Sequence, residues 1–123
     1  MSVQCIKHPE YPKKILLSNH QGVIKLNQIL ASWKLMIARN MVTQSTQGIM
    51  CDLNDANLDI TMSDFKFAIH SLEKFQWVKQ IKIAVITNSP HDVVFPMFGE
   101  KYHPTIKIRP FSTFKGAEDW ILL

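Results

Sequence analysis

Four glycines in 123 residues cannot build a glycine-rich phosphate loop. No P-loop, dinucleotide fingerprint or nucleophile elbow occurs along the chain. The two cysteines, Cys5 and Cys51, have neither metal nor redox spacing. Cys51 falls in an apolar run, where a reduced, buried thiol is expected. That suits a cytoplasmic protein. Residues 1–14 lack the apolar core of a signal peptide. No apolar run approaches the roughly 20 residues that span a bilayer, so no membrane span is expected. The formal net charge of +4 is mild, and the lysines are scattered. Nucleic acid is therefore not an expected partner.

The chain does have the composition of an ordinary globular protein, 46% hydrophobic and 20% charged. Its length suits one domain over residues 1–123, burying roughly two thirds of the unfolded surface. Residues 3–8 suit a short strand, and Glu10-Tyr11-Pro12 a turn. Residues 13–19 suit a second strand, antiparallel to the first. Gly22 reads as a turn or bulge before a helix.

Leu26, Ile29, Leu30, Trp33, Met36 and Ile37 make one face of that helix, with Ser32 and Lys34 on its wet side. Ile49-Met50-Cys51 reads as a buried strand ending in Asp52, followed by a polar loop with several acids. Thr61 and Asp64 resemble a capping box. Phe65, Ala68, Ile69 and Leu72 form the buried face of the helix that follows, and Phe67 points the other way.

Residues 81–87 form an apolar, β-branched strand. Ser89 is a good N-cap, with Pro90 and Asp92 in the first turn. Pro96 should shorten, kink or break that helix, and Gly99 suits its end. Residues 105–109 alternate as an edge strand. The last helix buries Phe114, Ala117, Trp120 and Ile121. Strands alternating with helices imply right-handed crossovers and a mostly parallel sheet. In such sheets the C-terminal ends of the strands are where ligands and partners usually bind, which puts the candidate site at residues 48–68.

Three segments carry a resemblance to a known family. They are Ile49-Met50-Cys51-Asp52-Leu53, Ile83-Ala84-Val85-Ile86-Thr87 with Ser89-Pro90, and Phe111-Ser112-Thr113 with Ala117 and Trp120-Ile121. In this order and spacing the chain resembles the SpoIIAA-like bacterial proteins of the STAS fold (the anti-sigma-factor antagonists). These are related to the CRAL-TRIO lipid-carrier domains. The resemblance covers about residues 14–122. It implies an α/β, single-domain fold with a mostly parallel central sheet, an antiparallel N-terminal strand and about four helices. It also implies a non-enzymatic regulatory or protein-interaction module.

The antagonists are phosphorylated on a Ser within an Asp-Ser-Ser-Gly motif. Here Ile60-Thr61-Met62-Ser63 stands in its place, so the switch does not carry over. Thr61 and Ser63 flank the position as the available hydroxyls, and capping accounts for both.

Asp52, Asp55, Thr61, Met62, Ser63 and Phe67 are the candidate partner-binding residues. The partner is expected to be another protein or a second copy of the chain. A rival reading places a lipid or other small apolar ligand beside the helix around Pro96, against Ser89, His91, Val94, Phe95 and Phe98. No cofactor is expected, and no metal. The acids from Asp52 to Asp64 fail the EF-hand pattern, with Asn57 at its glycine position and Ser63 at its glutamate position. The five histidines, at positions 8, 20, 70, 91 and 103, are dispersed.

Overall fold

The computed structural model describes residues 2–102 and 105–123; His103 lies outside them. Five strands form one sheet: β1 Ser2–Lys7, β2 Ile15–Ile24, β3 Gly48–Leu58, β4 Lys82–Ile86 and β5 Lys107–Phe111. Their spatial order is their order in the chain. β1 runs antiparallel to β2, and every later pair is parallel. The helices are α1 Leu26–Ala38, α2 Met62–Leu72, α3 Val94–Tyr102 and α4 Phe114–Leu122, with a single 3-10 turn at Gln76–Lys79. This is the expected α/β class and topology.

Sequential parallel strands joined by right-handed crossovers place every crossover helix on one face of the sheet. Here α1, α2 and α3 share a core with Leu16, Ile49, Ile83 and Ile108. On the opposite face α4 sets Ala117 and Ile121 against Ile15, Met50, Ala84 and Ile86.

Two close approaches fix these layers. A methyl on Gly48 would meet the backbone oxygen of Lys82 at 2.7 Å and the Ile121 side chain at 2.6 Å, so α4 lies directly on the start of β3. A methyl on Gly99 would meet Cγ2 of Ile108 at 2.6 Å, so α3 lies close on β5. Gly99 is therefore inside α3, where the sequence suggested a terminus.

β2 does not stop at Asn19. It continues through Gly22, which takes a positive φ of 82°, to Ile24. The acidic stretch after Cys51 is not a loop. β3 runs on to Leu58 and pairs with this longer β2, while its pairing to β4 ends at Asp52. A bulge places one extra β3 residue between the pairs Asn19–Asp52 and Gln21–Asp55. The extra residue shifts the alternation, so Leu53, Ala56 and Leu58 all reach the core.

Ser32 is buried rather than wet, and its hydroxyl donates to the Ile29 carbonyl at 2.7 Å. Phe114, expected in the buried stripe of α4, is 43% exposed, because it occupies the first helical position beside the Thr113 cap. Pro96 sits in the first turn of α3. It has no N–H to offer the Asp92 carbonyl, which accepts from Phe95 at 3.3 Å instead. The segment from Ser89 to Val93 is one separate turn, closed by Val93 N–H to the Ser89 carbonyl at 3.1 Å.

Candidate functional site

The start of α2 is a reciprocal capping box. Thr61 Oγ1 accepts from the Asp64 N–H at 3.0 Å, and Asp64 Oδ2 accepts from the Thr61 N–H at 3.0 Å. Two of the helix's free N-terminal donors are satisfied in this way, and the carboxylate lies where the helix dipole favours it. Thr61 and Ser63 are exposed, while Met62 is half-buried and packs against the core. Phe65, Ala68, Ile69 and Leu72 are buried as the spacing requires. Phe67 is 56% exposed.

The six candidate partner-binding residues do not form one cluster. Thr61, Met62, Ser63 and Phe67 belong to α2 or its cap. Cys51 and Leu53 face the core beneath the helices, so strand alternation turns Asp52 to the other face of the sheet. Asp55, between Ala56 on the core face and Asn54 at the bulge, is exposed. Asp52 Oδ1 accepts from the Asn54 N–H at 3.0 Å, which braces the bulge. These two acids thus belong to β3, away from the α2 cap.

A second group of polar side chains surrounds the turn before α3. Ser89 Oγ accepts from the Asp92 N–H at 3.2 Å, in the manner of an N-cap. The Asp92 side chain is 1% exposed. Its carboxylate accepts from the Leu58 N–H at 3.3 and 3.4 Å, tying this turn to the end of β3. His91 Nδ1 lies 2.8 Å from Asp92 Oδ1, and its ring meets Phe95 edge-on at 5.8 Å. The sequence marked Asp92 only as a favourable charge in a first turn. Its burial follows from the extension of β3 to Leu58, through the stretch whose polar residues predict a loop.

A cavity of about 80 Å³ lies between the sheet and α1, α2 and α3. Leu53, Phe65, Ile69, Val85 and Trp33 are among the apolar side chains in its wall. Of the five residues suggested for a ligand, Phe95 borders it. Ser89, His91, Val94 and Phe98 do not. Val94 and Met97 are exposed at 44% and 53%. The cavity also touches Cys51 and His20. Burial pushes the Cys51 thiol up to about 12, with Cys5 and Asp52 adding to the rise, so it stays protonated and poorly nucleophilic.

Cys5, Ser18 and Cys51 stand in register across three neighbouring strands. The cysteines are thus two strand spacings apart, roughly 10 Å, beyond the reach of a disulfide. His20 is 6% exposed, and its Nε2 lies 2.8 Å from Ser18 Oγ. Burial lowers its pKa, partly opposed by the charge of Asp52. Nothing in the composition singled out His20. The signal was its period-two spacing from Leu16 and Ser18, which sets it on the core face.

Among the described residues, no three His, Cys, Asp or Glu side chains form a group able to hold a metal ion. No described helix is long and apolar enough to cross a membrane.

No family model matches the chain, and no curated protein is significantly similar in sequence. Solved structures do share its fold. An uncharacterised protein of Shewanella loihica with a SpoIIAA-like fold superposes with a TM-score of 0.62 at 12% identity, over 98% of this chain and 92% of that one. The anti-sigma factor antagonist SpoIIAA in its unphosphorylated form gives 0.59 at 14% identity, over 98% of both chains. The Bacillus cell fate determinant SpoIIAA in its phosphorylated form gives 0.53 at 13% identity, over 98% and 99%. The fold is SpoIIAA-like, as the order and spacing of the sequence segments suggested.

Proposed function

We propose that this chain is a non-enzymatic, cytoplasmic regulatory module that acts by binding protein through the outer face of α2. The observation that carries the reading is Phe67, 56% exposed on a capped helix whose opposite side is fully buried. A large exposed aromatic is a typical centre for an interface. The fold is shared with an anti-sigma factor antagonist, which supports a regulatory partner rather than a substrate. The best-placed carboxylates already have structural work. Asp64 closes the α2 cap, Asp92 accepts from Leu58, and Glu118 pairs with His8.

The occupant of this face is a second protein chain, either another copy or a regulatory partner. Phosphorylation is not needed for the proposal. A phosphate on Thr61 or Ser63 would meet the positive end of α2, and on Thr61 its oxygens could take over the hydroxyl's part as the cap's acceptor.

Native mass spectrometry of the protein purified from its own host tests the reading. A stoichiometric second chain, either self or partner, is the expected result. A chain that carries only a lipid mass, or that stays a bare monomer at every concentration, contradicts it.

A further inference from the structure

Four of the eight large apolar side chains exposed among the described residues, Phe67, Val94, Met97 and Tyr102, belong to α2 and α3. Single exposed apolar residues are ordinary, but a group on one surface marks an interface. Both helices bury one side in the same core, through Phe65 and Ile69 on α2 and Phe95 on α3. They also touch each other. The Phe65 ring meets Phe98 edge-on at 6.4 Å, and Lys66 Nζ lies 5.2 Å from the centre of the Phe98 ring. The sides of α2 and α3 turned away from the sheet therefore make one continuous surface. On α3, Val94, Met97 and Lys101 follow at i, i+3 and i+7, one stripe of that helix.

The charges on this surface are of one available sign. Lys66 on α2, Lys74 just beyond its end and Lys101 on α3 are exposed, and none of them is in an ion pair among the described residues. The acids of the same helices are engaged. Asp64 closes the α2 cap, Glu100 accepts from Arg109, and Glu73 at the C-cap is not free either. We propose that a different protein docks across α2 and α3 with an acidic, amphipathic segment. Its apolar stripe covers Phe67, Val94 and Met97, and its carboxylates meet Lys66, Lys74 and Lys101. This inference rests on the α2 docking reading and names its occupant. A second copy does not fit, because a two-fold pair would set the patch against itself and lysine against lysine. An anionic membrane fits less well, since roughly four to eight clustered basic residues mark a lipid-binding surface and these helices offer three lysines.

The test uses the wild-type protein, labelled with ¹³C at the methionine and valine methyl groups. One probe is a synthetic amphipathic helix of about 18 residues, with leucine on one stripe and glutamate on its flanks. The second is the same peptide with lysine in place of glutamate. Vesicles of phosphatidylcholine and phosphatidylserine are the third. The glutamate peptide should shift the Met97 and Val94 methyl signals, and its affinity should fall as salt rises. The lysine peptide and the vesicles should leave those signals in place.

Lys66→Glu combined with Lys101→Glu should weaken the glutamate peptide about tenfold, the scale of a few exposed ion pairs, and should let the lysine peptide bind instead. Both lysines are exposed, so this variant keeps the fold. Met97→Ser should weaken the glutamate peptide by a similar factor. The inference is overturned if the two peptides bind alike, if neither binds, if the Met97 methyl stays in place, or if the vesicles bind in place of the glutamate peptide. Binding that Phe67→Ser weakens, while Met97→Ser and the charge reversal leave it unchanged, overturns this inference and leaves the α2 reading standing.

Discussion

His8 and Glu118, 110 residues apart, meet at 2.6 Å between Nε2 and Oε1. The other ring nitrogen, Nδ1, accepts from the backbone N–H of Glu10 at 3.0 Å and of Tyr11 at 3.3 Å. With Nδ1 accepting, Nε2 carries the proton and donates to the carboxylate. One side chain thus ties the β1–β2 turn to α4. His8→Ala would leave a partly buried carboxylate and two backbone donors without this partner. It should destabilise the fold by about 2–3 kcal/mol in urea melts. Glu118→Gln keeps an acceptor oxygen and should cost under about 1 kcal/mol.

The two close-packed glycines should respond differently to a methyl group. In Gly48→Ala the new carbon meets the Lys82 carbonyl oxygen, which belongs to the sheet and cannot move aside. A loss of about 1–3 kcal/mol is expected. In Gly99→Ala the nearest atom is Cγ2 of Ile108, a branched core side chain that yields only through a small shift of α3, but the three nearest atoms all belong to side chains rather than backbone. The substitution also gains up to about 1 kcal/mol of helix propensity. Thermal melts should rank Gly48→Ala well below Gly99→Ala.

The stability of the fold should depend on the protonation of His20. Its folded pKa lies below the ordinary 6.5, chiefly through burial. Below 6.5 the unfolded chain therefore binds a proton that the native chain resists. The contribution is present in full above 6.5 and is lost as the pH falls toward the folded pKa. The slope is up to about 1.4 kcal/mol per pH unit. Urea midpoints from pH 7.5 to 5 should fall for the wild type, and fall less for His20→Phe.

The helices were legible wherever one face of a 3.6-residue period was buried. The buried face of α2 and the Thr61–Asp64 box stand as the spacing implied. The second half of β3 was hidden because its bulge inserts one residue between Leu53 and Ala56 and breaks the period-two pattern. Polar Asn54, Asp55 and Asn57 then resemble a loop. The loop-like pattern set Asp55 before the α2 cap rather than along β3, where it lies. It also concealed the Leu58 N–H that buries Asp92. Phe114 shows the other limit. Spacing placed it on the stripe of α4, but a first-position residue has no preceding turn to lie against.

The outer face of α2 is the centre of the functional reading, and a pair of substitutions two residues apart tests it. Phe67 is exposed, and Phe65 is buried against Phe95 at a ring distance of 5.6 Å. Sedimentation equilibrium, with thermal melts, would be run on the wild type, Phe67→Ser and Phe65→Ser, each with any co-purified partner. We expect Phe67→Ser to weaken association by roughly 1–3 kcal/mol, the scale of one buried aromatic side chain, with an unchanged melt. Phe65→Ser should lower the melting temperature of the monomer itself. An association constant for Phe67→Ser equal to that of the wild type would contradict the account.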